Sequence, residues 1–169
     1  MPTSFHRHVT QNALAMAILN AAMNASYTAY LWWGHTPLSL FDESRVALDL
    51  VNTPMVIALL STLFGTTGAR DRLWDGRVSM AGAEAPQLLR WLPNGVVLRS
   101  VALAALAGVL LAWPMWLAIG MSGVTTVPLV MAVGLKVLIT IVMTLAIVPV
   151  VMLAALSDVQ GLSARRFAT

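Results

Sequence analysis

Four long apolar runs separated by short polar breaks constrain this chain more than any other feature. They fall at about 12–33, 41–64, 101–121 and 126–154, and each is long enough to cross a hydrocarbon core about 30 Å thick as an α-helix. Away from water, backbone donors and acceptors must be satisfied within the segment itself. The expected fold is therefore an all-α integral membrane protein, a single domain over 1–169 with four transmembrane helices in two hairpins. Composition agrees: 10% of residues are charged, against roughly 25% in an ordinary soluble domain.

Charge placement sets the expected orientation. Arg7 precedes the first run, Arg70, Arg72, Arg77, Arg90 and Arg99 populate the polar segment 66–99, and Arg165 and Arg166 lie in the tail. The loops near 34–38 and 122–127 carry neither arginine nor lysine. The positive-inside rule then places both termini and the loop 65–98 in the cytoplasm. These flanking arginines account for the sequence pI of about 10.2, so the lipid bilayer is an expected partner and nucleic acid is not.

A basic start before an apolar run would also suit a signal peptide, but a run of this length containing Asn20 and Asn24 reads as a retained helix. It closes on Tyr27, Tyr30, Trp32 and Trp33, aromatic residues of the kind found at membrane interfaces. After a reversal at Gly34–Pro37, Ser39 is placed to cap the second helix, with Asp42 and Glu43 in its first turn. The glycines of Gly65-Thr66-Thr67-Gly68 are expected to end that helix. The stretch 85–92, with Leu88, Leu89, Trp91 and Leu92 around Arg90, suits an interfacial amphipathic helix and an ordinary packed loop equally.

Several chemistries are excluded or unsupported. The chain has no cysteine, which removes disulfides, thiolate catalysis and cysteine-bound metal centres. His6, His8 and His35 lie outside the apolar runs, so a haem held by two histidines inside the bundle is not available. There is no serine–histidine–acid set and no phosphate-cradling glycine loop. No catalytic residue, metal ligand or cofactor is assigned, and an enzyme is the disfavoured reading.

The polar residues inside the runs carry the functional expectation, because an ionisable group at membrane depth is costly unless paired or wet. In the second run Asp42, Arg45, Asp49 and Asn52 share an arc of roughly 80° on a helix, and Arg45 is spaced to pair with either aspartate. Asn20, Asn24 and Tyr27 of the first run should reach a similar depth. They adjoin a ridge of Ala13, Ala17, Ala21, Ala25 and Ala29 that would let a neighbouring helix approach closely. Lys136, the only lysine, lies well inside the fourth run, with Thr140 and Thr144 continuing its face. Asp49 is its natural partner by depth, and snorkelling to the surface is the competing outcome. Pro54, Pro114 and Pro149 fall within expected helices, where each removes a backbone hydrogen bond.

The candidate binding or ion-coupling residues are thus Asp49, Asn52 and Arg45, with Asn20, Asn24, Tyr27 and Lys136. Two functions fit them. One is a small membrane protein that binds or translocates a small solute or ion, as a homo-oligomer because four helices rarely enclose a pathway alone. The other is a non-catalytic accessory subunit of a larger membrane complex, with the polar stripe acting as a staple. The first run, with its NASYTAYLWWG stretch, and the acidic second run resemble small bacterial permease-like proteins. The expected location is a bacterial-type inner membrane, with both termini in the cytoplasm.

Overall fold

Apolar segments fold as helices because backbone bonding within the segment leaves no polar group unsatisfied. The computed structural model describes residues 3–35, 37–42, 44–84, 86, 89, 91–93 and 95–166. Its helices are α1 (Phe5–Leu31), α2 (Val46–Trp74), α3 (Val96–Ala107), α4 (Trp113–Met121) and α5 (Leu129–Arg166). α3 and α4 are halves of one continuous rod, joined through a π-helical turn at Gly108–Ala112. Three rods, Val46–Trp74, Val96–Met121 and Leu129–Gly161, are long and apolar enough to cross a membrane. α1 has the length but is not among them, because Asn20, Asn24 and the polar and aromatic residues of 26–30 dilute its apolar character.

The helix boundaries depart from the expected ones for identifiable reasons. α2 begins at Val46, not Phe41. The Asp42 amide donates to Ser39 Oγ at 2.9 Å, and the same hydroxyl donates to Asp42 Oδ2 at 3.3 Å. Ser39 and Asp42 therefore close a turn ahead of the helix and do not cap it. Arg45 follows in the left-handed region with φ 48°, and Glu43 lies outside the described residues. At its far end α2 runs through the Gly65–Gly68 stretch to Trp74. Thr67 Oγ1 bonds back to the Leu63 and Phe64 carbonyls at 3.3 and 3.0 Å, and Gly65 packs against Val151 of α5. α5 likewise continues past 154, so the tail to Arg166 is helical. Of the segment 85–92, residues 85, 87, 88 and 90 lie outside the described residues. Leu92 bonds back to the Leu89 carbonyl at 3.1 Å, and Trp91 is exposed.

α5 is the centre of the packing. It lies against both α1 and α2, and α3 packs on the far side of α2, so the spatial order is α1, α5, α2, α3. The two hairpins of the chain thus interleave, each inserting one helix between the legs of the other. Direction follows from the contacts. From Asn12–Met152 to Asn20–Thr144 the sequence separation falls from 140 to 124, which marks α1 and α5 as antiparallel. From Asp49–Lys136 to Arg70–Asp158 it stays at 87 and 88, which marks α2 and α5 as parallel. The alanine ridge of α1 faces this contact, with Ala13 and Ala17 fully buried.

Short strand pairs tie the ends. At one end β2 (Leu38–Ser39) pairs antiparallel with β4 (Thr126–Val127), joining the two tight turns. At the other, β1 (Thr3–Ser4) pairs parallel with β3 (Val78–Ser79), and Gln160 of α5 donates to the Ala83 carbonyl at 3.0 Å. The amino-terminal strand, the loop after α2 and the end of α5 therefore gather at the same end of the bundle. Buried apolar clusters stack in three tiers. Trp32, Leu38, Val46 and Val127 fill the turn end, Ile57, Ala58 and Met143 the middle, and Phe5, Leu73, Met152 and Leu156 the loop end.

The π turn has a local cause. Proline at position 114 clashes with the carbonyl four residues earlier, Leu110, and supplies no N–H to it. Widening the helix around Gly108–Ala112 relieves that contact. Gly108 also leaves room there for Met55, whose Cε would lie 3.3 Å from a Cβ at this position.

Candidate functional site

Lys136 enters from α5 two turns after the helix start and is 3% exposed. Its Nζ donates to both Asp49 oxygens, at 2.7 Å (Oδ1) and 2.6 Å (Oδ2). The Tyr27 ring of α1 lies 5.1 Å from the ammonium, close enough for a cation–π contact. Asp49 sits in the first turn of α2, where the helix dipole favours its negative charge. Its backbone carbonyl accepts from Thr53 Oγ1 at 2.7 Å. Three helices thus meet on one charge pair, and Lys136 is buried in it instead of reaching for the surface.

Beside this pair runs a groove of about 550 Å³, bounded by α1 and α2, with Lys136 of α5 in its wall. α1 and α2 do not pack closely on each other, which leaves the groove open along one side. Its polar lining comes from Asn20, Asn24 and Tyr27 on one wall and Asp49, Asn52 and Thr53 on the other. Asn20 Nδ2 donates to Thr144 Oγ1 at 3.1 Å, and Asn24 Nδ2 donates to the Asn20 carbonyl at 2.9 Å. Asn52 is exposed to the groove, not pressed on a neighbouring helix. Thr140 is fully buried with no hydrogen-bond partner for its hydroxyl.

Six of the seven candidate residues are brought together here. Arg45 is not, because α2 starts after it; it forms no ion pair with Asp42 or Asp49. The expected bridge between the two aspartates is therefore absent. Asp42 itself is exposed in the turn.

A second charge cluster holds the loop end. Asp158 of α5 accepts from Arg70 of α2 at 2.6 Å (Nη2) and from Arg99 of α3 at 2.8 Å through both terminal nitrogens. Arg99 is 1% exposed, and its Nε also donates to the Pro93 carbonyl at 3.0 Å. The bidentate Arg99–Asp158 geometry is the strong form of this pair. Sequence reasoning assigned these arginines to orientation alone and left Asp158 in the tail. The usable signal was an acid just past the end of an apolar run, at the depth of two arginines.

The groove continues toward this end. A smaller hollow of about 170 Å³ shares Met16, Ser61 and Phe64 with it and reaches His8, Asn12 and Arg72. Arg72 Nη1 lies 3.4 Å from His8 Nε2. Partial burial, and then the nearby guanidinium, hold the His8 pKa below its usual value, so this imidazole stays neutral and accepts from Arg72. His8 precedes the expected span of α1.

Comparison with family models, curated proteins and solved structures finds no match to this chain. The lining offers amide and hydroxyl donors and acceptors beside a neutralised charge pair. Among the described residues no group of three or more histidine, aspartate or glutamate side chains is placed to hold a metal. The arrangement suits reversible binding of a small polar species.

The spacing of the two charge clusters bears on their depth. Asp49 and Arg70 are 21 residues apart on α2, or about 32 Å along a helix. That matches a hydrocarbon core of about 30 Å. In a bilayer the two clusters would therefore stand near opposite faces of the hydrocarbon core.

Proposed function

We propose that this chain is a small permease-like membrane protein that binds or translocates a small polar solute or ion at the Asp49–Lys136 end of the groove. In this reading α1 is the fourth transmembrane helix, shielded by α5, and the arginine-rich loop end with both termini faces the cytoplasm of a bacterial-type inner membrane. The observation that carries it is the groove itself, largely apolar but with amide and hydroxyl groups on both walls beside the Asp49–Lys136 pair. Leaving those amides against lipid is unfavourable, which supports closure by a second copy and hence a homo-oligomer.

The test uses purified protein in proteoliposomes, screened for binding and flux of monovalent cations, protons and small zwitterions. Asn24→Leu with Asn52→Leu leaves the ion pair intact and removes two of the three groove amides, one from each wall. It should lower ligand affinity at least tenfold with an unchanged unfolding midpoint. Undiminished binding in that variant sinks the groove as the site.

A second reading rests on the two charge clusters, which fasten α2 to α5 at both ends and suit a rigid accessory subunit. Under it the chain leaves native membranes with other polypeptides in fixed ratio. Purification as a stable, self-contained oligomer argues against it.

A further inference from the structure

The loop end of the groove has its own chemistry. We infer that the hollow at His8 and Arg72 binds one anionic phospholipid, its phosphate on Arg72 and one acyl chain lying between α1 and α2. The inference rests on the chain being embedded in a bilayer, with α1 beside α5.

Charge complementarity is the first argument. Arg72 and His8 stand at the mouth, Asn12 adds an amide, and among the described residues no acidic side chain lines the hollow. A neutral His8 can accept from Arg72 and still place an N–H toward a phosphate oxygen.

The second argument is shape. Behind the polar mouth the lining turns apolar and small, with Gly65, Gly68, Val148 and Val151 before the Met16–Phe64 neck. A Cβ at Gly68 would meet nothing within 4 Å, so the chain leaves open space where an acyl chain would lie. The hollow is open to the side, because α1 and α2 do not close over it.

Length is the third. Half of a 30 Å hydrocarbon core corresponds to about ten helical residues. Counted back from Arg72 on α2, that reaches the Ser61–Phe64 neck shared with the solute groove. One lipid leaflet thus matches the lower hollow and leaves the Asp49–Lys136 end vacant for a solute.

The experiment uses the full-length chain in detergent, with native mass spectrometry and thermal unfolding as readouts. Phosphatidylglycerol should bind one per chain and raise the unfolding midpoint, and phosphatidylcholine of the same acyl chains should do neither. Arg72→Gln, an exposed position, should weaken phosphatidylglycerol about fivefold, given about 1 kcal/mol per arginine at an anionic surface. Arg77→Gln, whose partner is Asp75 outside the hollow, should bind as the unsubstituted chain does. Equal binding of the two lipids, or no loss in Arg72→Gln, overturns the site. Stabilisation by glycerol phosphate alone overturns the lipid and leaves a site for free phosphate. Release of the chain from membranes by alkaline carbonate would instead undo the bilayer reading beneath both proposals, whereas failure of the lipid arms alone leaves the solute groove standing.

Discussion

Replacing Asp49 with Asn leaves the Lys136 ammonium, 3% exposed, without its counter-charge. Removing one partner of a buried pair costs about 3 kcal/mol at the low end of the usual range, and the low end applies because the Asp49 side chain is 27% exposed. Thermal unfolding in detergent should show Asp49→Asn well below the unsubstituted chain. Asp49→Leu combined with Lys136→Met should recover most of the loss, since a well-packed apolar pair often equals a buried ion pair. A single variant as stable as its parent would mean that the pair contributes nothing to the fold. Depth and sign were enough to link Asp49 with Lys136 from sequence, because one lysine and few acids left little choice. Arg45 falls outside the stripe because it precedes the helix, where helical spacing does not hold. Asp158 was hidden for the opposite reason: α5 outlasts its apolar run, and helix beyond that run carries no hydrophobic signal.

Helices were legible at the level of elements, but helix ends were not. Hydropathy marks where a segment is apolar, whereas α2 starts only after a hydroxyl turn at Ser39–Asp42 and runs on through Gly65, which packs against Val151, to Trp74. Gly65 and Gly108 separate these roles. A Cβ at Gly65 would stand 3.1 Å from Val151 Cγ1, inside the α2–α5 contact between the two charge clusters. Gly65→Val should therefore force α2 from α5 and lower stability by about 1–3 kcal/mol. At Gly108 the neighbour is the flexible end of Met55, which can swing aside, so Gly108→Ala should be nearly neutral. Chemical denaturation of both variants in one detergent checks the contrast. Equal costs would show that α2 and α5 are not held at the spacing described.

At the scale of the whole molecule, the interleaved order α1, α5, α2, α3 was not readable from sequence, since connectivity shows hairpins and says nothing of which legs touch. The arrangement makes the turn end a natural place to distinguish the functional readings. Ser39 and Thr126 are paired across β2 and β4, and antiparallel partners bring Cα atoms about 4.5–5.5 Å apart, within disulfide range. The chain has no native cysteine, so Ser39→Cys with Thr126→Cys provides the sole thiols. If the solute reaches the groove by separation of the two turns, oxidation should arrest flux and reductant should restore it. Binding measured on the oxidised protein should slow in exchange without losing its stoichiometry, because the residues of the groove are untouched by the bridge. Flux that continues through the oxidised protein would place entry along the open side between α1 and α2. The second copy proposed to cover that side would then have to move, and a cross-link between protomers, not within one, should become the block.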